Sequence, residues 1–129
     1  MGFSTAPLIF QVKIAAIAGA RPNFVKLVDP LPYLAFLQLM ANARCVLTDS
    51  GGIQEETTAL GVPCLTLREN TERSITVSRG TNRVVGVAPH AIYTHRRRAA
   101  AGQRPTGDLP ELWDGEAPRR IVKILLETL

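Results

Sequence analysis

Short apolar runs alternate along the chain with longer segments of mixed polarity. Four runs, at 12–19, 44–49, 62–67 and 82–88, are rich in apolar residues. Such runs are typical of strands that are buried on both faces of a sheet. The segments between them repeat apolar residues at helical spacing. Alternation of this kind predicts an α/β protein with a mainly parallel sheet.

The predicted helices lie between these strands, and one more helix follows at the C-terminal end.

The order of the strands can be predicted as well. A doubly wound sheet orders its strands 3-2-1-4-5-6. The last three predicted strands correspond to strands 4, 5 and 6, and we expect 12–19 beside 44–49 in the place of strand 1. Residues 1–11 show no pattern and are interpreted as a loose extension, with 12–129 as a single domain. The helices are predicted at 29–43, 50–60, within 68–80, at 89–101 and at 119–129.

The composition is that of a globular protein and argues against several classes. The chain has 129 residues, 46% of them hydrophobic and 20% charged, which suits one domain. No apolar run reaches the roughly 18 residues of a membrane helix, and Lys13 interrupts the first run, so we expect a cytoplasmic protein without a membrane partner. The two cysteines lack metal-ligand spacing, which predicts buried free thiols, no metal and no cofactor.

The charge is unevenly distributed. The net charge is +4, and the whole basic excess lies in residues 61–129, with its densest run at His95–Arg98. A nucleic-acid patch is one interpretation. We favour a solvated helix face and expect no nucleic-acid partner, because no aromatic platform or binding motif accompanies the run.

The best candidate for chemistry is the turn after the second predicted strand. Ser50, Gly51 and Gly52 stand where that strand ends and a helix begins. The first amides of a helix lie at its positive pole, and glycines let a ligand approach them, so a phosphate or diphosphate is the natural guest. Glu55 and Glu56, one turn further, suit a sugar diol instead. The pattern equally fits a capped helix start with acidic first-turn residues.

Two further strand ends support the ligand interpretation. Arg68 and Arg73 follow the third predicted strand, and Arg21 follows the first. Arginine side chains at these positions can clamp phosphate. The alternative for Arg68 and Arg73 is surface ion pairing with Glu69 and Glu72. Glycines or arginines at three strand ends favour a nucleotide site.

Together these stretches resemble the non-hydrolysing UDP-N-acetylglucosamine 2-epimerases. LTDSGGIQEETTALGVPCLTLRENTER, at 47–73, is similar to the family signature, and IAAIAGARPNFVK, at 14–26, to its opening strand and Gly-x-Arg-Pro turn. The segments 29–43 and 110–126 resemble the family's C-terminal part. The resemblance implies a remnant of a two-domain, type B glycosyltransferase-like fold. The remnant would be a small Rossmann-like three-layer unit with about four mainly parallel strands.

The resemblance also implies a function. The family are isomerases that interconvert UDP-GlcNAc and UDP-ManNAc for surface polysaccharides, so UDP-GlcNAc or UDP is the implied ligand. Ser50, Gly51 and Gly52 would hold the diphosphate and Glu56 the ribose. Arg21 would lie near the phosphates, and Arg73 in the same cleft.

The order of the segments departs from the family pattern. The family's first strand and turn join the late part of its second domain near Lys26 and Leu27. The family's catalytic carboxylates and histidine belong to the part between. The catalytic residues are therefore unassigned, and we expect the chain to be inactive alone. The alternatives are a non-catalytic module that binds UDP or a UDP-sugar, and a nucleic-acid binder that uses Arg96–Arg98. A sheet this small would leave edges and an apolar face uncovered, which predicts a homodimer.

Overall fold

The sheet is parallel and has four strands in the part of the chain that is described. The computed structural model describes residues 8–10, 26, 28–102 and 107–129. The strands are β1 (Leu8–Phe10), β2 (Cys45–Thr48), β3 (Cys64–Thr66) and β4 (Asn82–Val84), in the order β1-β2-β3-β4. The helices are α1 (Tyr33–Ala41), α2 (Gly51–Ala59), α3 (Ser74–Ser78), α4 (Pro89–Ala100) and α5 (Ala117–Thr128).

The sheet separates two apolar clusters, which makes three layers. Successive side chains of a strand point to opposite faces. Val46 of β2 packs with Met40 of α1 and Ile53 of α2 on one face. Leu47 packs with Leu65 and with Ala99 of α4 on the other face. The predicted fold class, α/β with four parallel strands between helical layers, is confirmed.

The first strand is not where the sequence pattern placed it. β2 pairs with Leu8–Phe10 on one side and with β3 on the other. Both of its edges are therefore filled, and the predicted pairing of 12–19 with 44–49 is replaced by a segment four residues earlier. The interpretation of 1–11 as a loose extension is wrong for these three residues. Residues 12–19 lie outside the described residues, and the order of β2, β3 and β4 is as predicted.

The first described helix starts later than its apolar pattern suggests. It begins at Tyr33 rather than at 29, and Pro32 precedes it with φ −54° and ψ 147°. The prolines at 30 and 32 explain the delay, because a residue before proline is disfavoured in the helical region. No helix within the described ranges is long and apolar enough to cross a membrane.

Candidate functional site

The amino-terminal end of α2 is the centre of the candidate site. Ser50 precedes the helix with extended backbone angles, φ −81° and ψ 128°, and its N–H donates to Thr48 Oγ1 at 3.0 Å. Within the described residues its hydroxyl makes no capping bond to the helix. The Gln54 N–H donates to the Ser50 carbonyl at 3.3 Å. The amides before Gln54 lie at the positive pole of the helix and can serve an anion.

The two glycines at this helix end have different surroundings. A Cβ at Gly51 would lie 3.0 Å from Glu72 Oε1 and 3.3 Å from Arg73 Nε. At Gly52 the nearest atom of the described structure to such a Cβ is Ser50 Oγ, at 4.0 Å. Gly51 therefore gives room to the loop after β3, whereas Gly52 leaves the helix end open to an approaching ligand.

The loop after β3 brings Arg73 to the end of α2. Arg73 Nε lies 3.4 Å from Glu55 Oε1, and both side chains are close to half exposed. Such a surface ion pair contributes little, so the guanidinium can exchange the carboxylate for a phosphate, which it binds with stronger, bidentate hydrogen bonds. Arg68, the other arginine of this loop, pairs with Glu72 at 3.2 Å.

Glu56 lies one turn into α2 and interacts with a residue that the sequence pattern did not indicate. Its carboxylate accepts a hydrogen bond from the Tyr33 hydroxyl, and this bond and the negative charge raise the pKa of Tyr33 above its ordinary value. A carboxylate has about four lone-pair positions, so Glu56 keeps acceptor capacity for a diol. Tyr33 is 59% exposed. In the sequence it looks like one more apolar position of α1, which is why it was missed.

Most of the predicted site residues come together. Ser50, Gly51 and Gly52 form the end of α2, Arg73 lies against Gly51, and Glu56 follows on the same helix. Arg21 lies outside the described residues. Glu55, a carboxylate with no assigned role, is the ion-pair partner of Arg73.

The basic run lies on α4, away from this site. The guanidinium carbons of Arg96 and Arg97 each lie 5.9 Å from the centre of the Tyr93 ring. Partial burial, together with the charges of Arg83 and Arg98, lowers the pKa of His95. Arg96 and Arg97 thus contact Tyr93 of the same helix, and the nucleic-acid interpretation of the run stays a prediction.

The two cysteines are buried inside the sheet. Cys45 and Cys64 are free and fully buried on neighbouring strands. Burial raises the pKa of Cys45 to about 12 and that of Cys64 to about 11. Both thiols are therefore protonated and serve as core residues. Among the described residues no group of three histidine, cysteine, aspartate or glutamate side chains could hold a metal ion.

The fold and this site define a class of protein. Loops from neighbouring parallel strands meet at the start of a helix, which is where open α/β sheets bind nucleotides and other phosphate ligands. A family model described as UDP-N-acetylglucosamine 2-epimerase matches residues 4–126. The chain belongs to the UDP-N-acetylglucosamine 2-epimerase family, as the sequence resemblance predicted.

Individual relatives agree with this assignment. The chain is 56% identical over 107 residues to UDP-N-acetylglucosamine 2-epimerase of Methanocaldococcus jannaschii, a match that covers 78% of this chain and 27% of the relative. It is 40% identical over 113 residues to that of Escherichia coli K12, which covers 84% and 30% respectively. The chain thus spans less than a third of the length of these relatives.

Solved structures give the same result. The Neisseria meningitidis UDP-GlcNAc 2-epimerase bound to UDP-GlcNAc superposes with a TM-score of 0.68 at 35% identity, covering 78% of this chain and 28% of that one. The Methanocaldococcus jannaschii epimerase in complex with UDP-GlcNAc and UDP superposes with a TM-score of 0.64 at 39% identity, covering 81% and 28%.

Proposed function

We propose that this chain binds UDP or a UDP-sugar at the amino-terminal end of α2. The observation that carries the proposal is the placement of Arg73 against Gly51, which puts a guanidinium beside the positive pole of the helix. Two positive features at one point select an anion with more than one charge. Related structures that contain UDP-GlcNAc or UDP support the choice of ligand.

The proposed roles follow from chemistry and position. Backbone amides at the helix end donate to the diphosphate oxygens, and the Ser50 hydroxyl adds a donor. The Glu56 carboxylate accepts hydrogen bonds from the ribose diol. The residues proposed to bind UDP are Arg21, Ser50, Gly51, Gly52, Glu56 and Arg73.

We extend the proposal to activity. The family's interconversion of UDP-GlcNAc and UDP-ManNAc, and its role in polysaccharide biosynthesis, belong to an assembly larger than this chain, which is inactive alone. General acid–base catalysis requires a positioned acid and base near the reacting carbon. One observation supports inactivity: the chain spans under a third of the length of its relatives.

The assembly and location are also proposed. An amphipathic α5 without buried residues, among those described, presents apolar side chains to solvent. We assign this face to a homodimer contact. A cytoplasmic location agrees with two buried thiols that stay unpaired on adjacent strands, because disulfides persist chiefly in oxidising compartments.

Calorimetric titration with UDP tests the binding proposal. We expect saturable binding to the wild-type chain, and a rise in Kd of about tenfold or more for Glu56→Ala, which loses hydrogen bonds to the ribose. Glu111→Ala, which removes an exposed glutamate outside the site, is the matched control. Absence of UDP binding to the wild type, or equal binding after Glu56→Ala, would contradict the proposal.

Turnover needs a separate measurement. Proton NMR of UDP-GlcNAc mixed with a high concentration of the chain follows the appearance of the 2-epimer directly. We expect an unchanged spectrum while UDP still binds. Formation of UDP-ManNAc by the chain alone would show that inactivity is wrong and that the catalytic groups lie within these residues.

A further inference from the structure

Five polar side chains form a network beneath the α2 end, and four of them are buried while Thr71 is half-buried. We call Gln54, Thr66, Thr71, Thr76 and Asn82 the amide network. Thr71 Oγ1 donates to Gln54 Oε1 at 2.6 Å, and Asn82 Nδ2 donates to the same oxygen at 3.0 Å. Asn82 Nδ2 also donates to Thr76 Oγ1 at 3.0 Å, while Asn82 Oδ1 accepts from Thr66 at 2.6 Å. The network thus joins α2, β3, the following loop, α3 and β4.

The network ends on the backbone of Arg73. The Arg73 N–H donates to Thr71 Oγ1 at 3.0 Å, and the Arg73 carbonyl accepts from Thr76 Oγ1 at 2.7 Å. Both peptide groups that flank the Arg73 Cα are therefore held by hydroxyls of the amide network. The backbone there has φ −96° and ψ 51°, outside both the helical and the extended regions.

The direction of each hydrogen bond is fixed by the chemistry of the groups. A hydroxyl has one proton and two lone pairs. Thr71 gives its proton to Gln54, so its lone pair remains for the Arg73 N–H. Thr76 gives its proton to the Arg73 carbonyl, so its lone pair remains for Asn82. Removing one hydroxyl therefore breaks a bond to Arg73 and a bond to a buried amide together.

Burial makes the amide network more rigid than the surface ion pair between Arg73 and Glu55. Gln54, Asn82, Thr66 and Thr76 are at most 2% exposed. Breaking a buried hydrogen bond leaves a partner unsatisfied, which costs much more than loss of a surface ion pair. Glu55, at the surface, cannot fix the position of Arg73. The amide network can fix it, because four of its five side chains are buried.

We propose that the amide network positions Arg73 for the diphosphate of a uridine nucleotide, which makes Gln54, Thr71, Thr76 and Asn82 positioning residues. The inference rests on the proposed UDP site, because Arg73 needs a ligand to act on. The network acts through the backbone of Arg73, whereas recognition of ribose through Glu56 does not depend on it. Its loss should weaken binding of the diphosphate and leave the nucleoside unaffected.

Paired substitutions at Thr71 test this selectivity. Thr71→Val removes the hydroxyl and keeps the branched shape, whereas Thr71→Ser restores the hydroxyl. We expect Thr71→Val to raise the Kd of UDP about fivefold, as for one lost hydrogen bond, and Thr71→Ser to remain near wild type. Titration with uridine should give the same Kd for all three proteins. The same pair at Thr76 repeats the test from the carbonyl side.

A control separates positioning from general destabilisation. Thr81 is 5% exposed, and its hydroxyl donates to the Val62 carbonyl at 2.6 Å, away from Arg73. Thr81→Val should lower the melting temperature without changing the ratio of the UDP and uridine Kd values. In an Arg73→Ala background, Thr71→Val should have no further effect on UDP binding, because the residue it positions is absent.

Amide exchange of Arg73 gives a readout that needs no ligand. Its N–H should exchange faster in Thr71→Val than in the wild type or in Thr71→Ser. Faster exchange combined with unchanged UDP binding would overturn this inference alone. Failure of the wild-type chain to bind UDP would overturn the proposed function and this inference with it.

Discussion

A single Cβ atom can separate a role in binding from a role in folding at the end of α2. Gly52 is exposed and its side-chain position faces open space. Alanine is a better helix former than glycine by about 1 kcal/mol at interior positions. A methyl group there therefore costs the fold nothing in contacts but occupies the space through which a ligand reaches the amides.

We expect Gly52→Ala to raise the melting temperature slightly and to raise the Kd of UDP severalfold. The two effects have separate causes, namely helix propensity and steric exclusion from the helix end. Thermal unfolding and calorimetric titration of the same protein measure both. Tighter or unchanged UDP binding by the alanine variant would place the ligand elsewhere.

The buried thiols determine a stability change at alkaline pH. Burial raises the pKa of Cys45 to about 12, above that of an exposed thiol. A raised pKa in the folded state stabilises the fold fully below the unfolded pKa, and this contribution is lost as pH rises toward the folded value. The unfolded chain releases its thiol proton first, so unfolding becomes easier across that interval.

We expect the free energy of unfolding to fall between pH 9 and 11 by about 1.4 kcal/mol per pH unit for each buried thiol. Cys45→Val keeps an apolar strand residue and removes one such contribution. Urea unfolding at several pH values should give a shallower slope for this variant than for the wild type. Identical slopes would mean that Cys45 ionises as readily in the folded chain as in the unfolded chain.

At the scale of elements, the sequence pattern predicted what depends on one strand or helix at a time. β2, β3 and β4 were found because each lies in a run rich in apolar residues, and their order followed from the general topology of doubly wound sheets. β1 was misplaced because Leu8–Phe10 is short, and the apolar run after it is a stronger signal. α1 begins at Tyr33, later than predicted, because prolines precede it. The helical spacing of apolar residues did not reveal this local effect.

The sequence pattern did not predict the contacts between elements. The Tyr33–Glu56 contact joins α1 to α2, and Gln54 meets Asn82 across 28 positions of the chain. No periodicity marks such pairs, since each depends on how neighbouring elements pack. The placement of amides, glycines and an arginine at the α2 end was predictable, because these groups act through local chemistry. The network beneath the α2 end was not predictable from the sequence pattern.

The start of α5 is held by an exposed but well-formed ion pair. Arg120 donates to both Asp114 oxygens, at 2.7 and 2.9 Å, and to the Leu112 carbonyl at 3.1 Å, while the Glu116 N–H donates to Asp114 at 3.0 Å. The bond from Arg120, then that from the Glu116 backbone, lowers the pKa of Asp114 well below its usual range. A lowered pKa stabilises the folded form above the unfolded value of about 3.9.

We therefore expect the first turn of α5 to loosen in acid, as the pH falls from that unfolded value through the folded pKa. Asp114→Asn should reproduce the loosening at neutral pH, because it removes the charge that holds Arg120. Amide-exchange protection at Arg120, corrected for intrinsic rates, should drop severalfold. Asp108→Asn, at another exposed aspartate, serves as the control, and equal protection in both variants would assign the helix start to other contacts.

At the scale of the whole molecule, α5 stands out because none of its residues is buried against the described part of the chain. Five of its apolar side chains face solvent, and each is at least 52% exposed: Ile121, Val122, Ile124, Leu125 and Leu126. Exposed apolar surface of this kind usually marks an interface. Arg119, Lys123 and Glu127 share one side of the helix and frame this surface. An antiparallel second copy would place Arg119 opposite Glu127, which favours self-association.

The homodimer proposal is tested most directly on the apolar face of α5. Leu125 lies near the middle of the apolar face at helical spacing. Leu125→Glu should convert a dimer into a monomer in sedimentation equilibrium, because a carboxylate cannot be buried between two apolar helices. Gln38→Glu, at an exposed position of α1, introduces the same side chain away from α5 and should leave the mass at twice that of the chain. A wild-type chain that stays monomeric at high concentration would contradict the homodimer, and would leave this face for the rest of a longer epimerase chain.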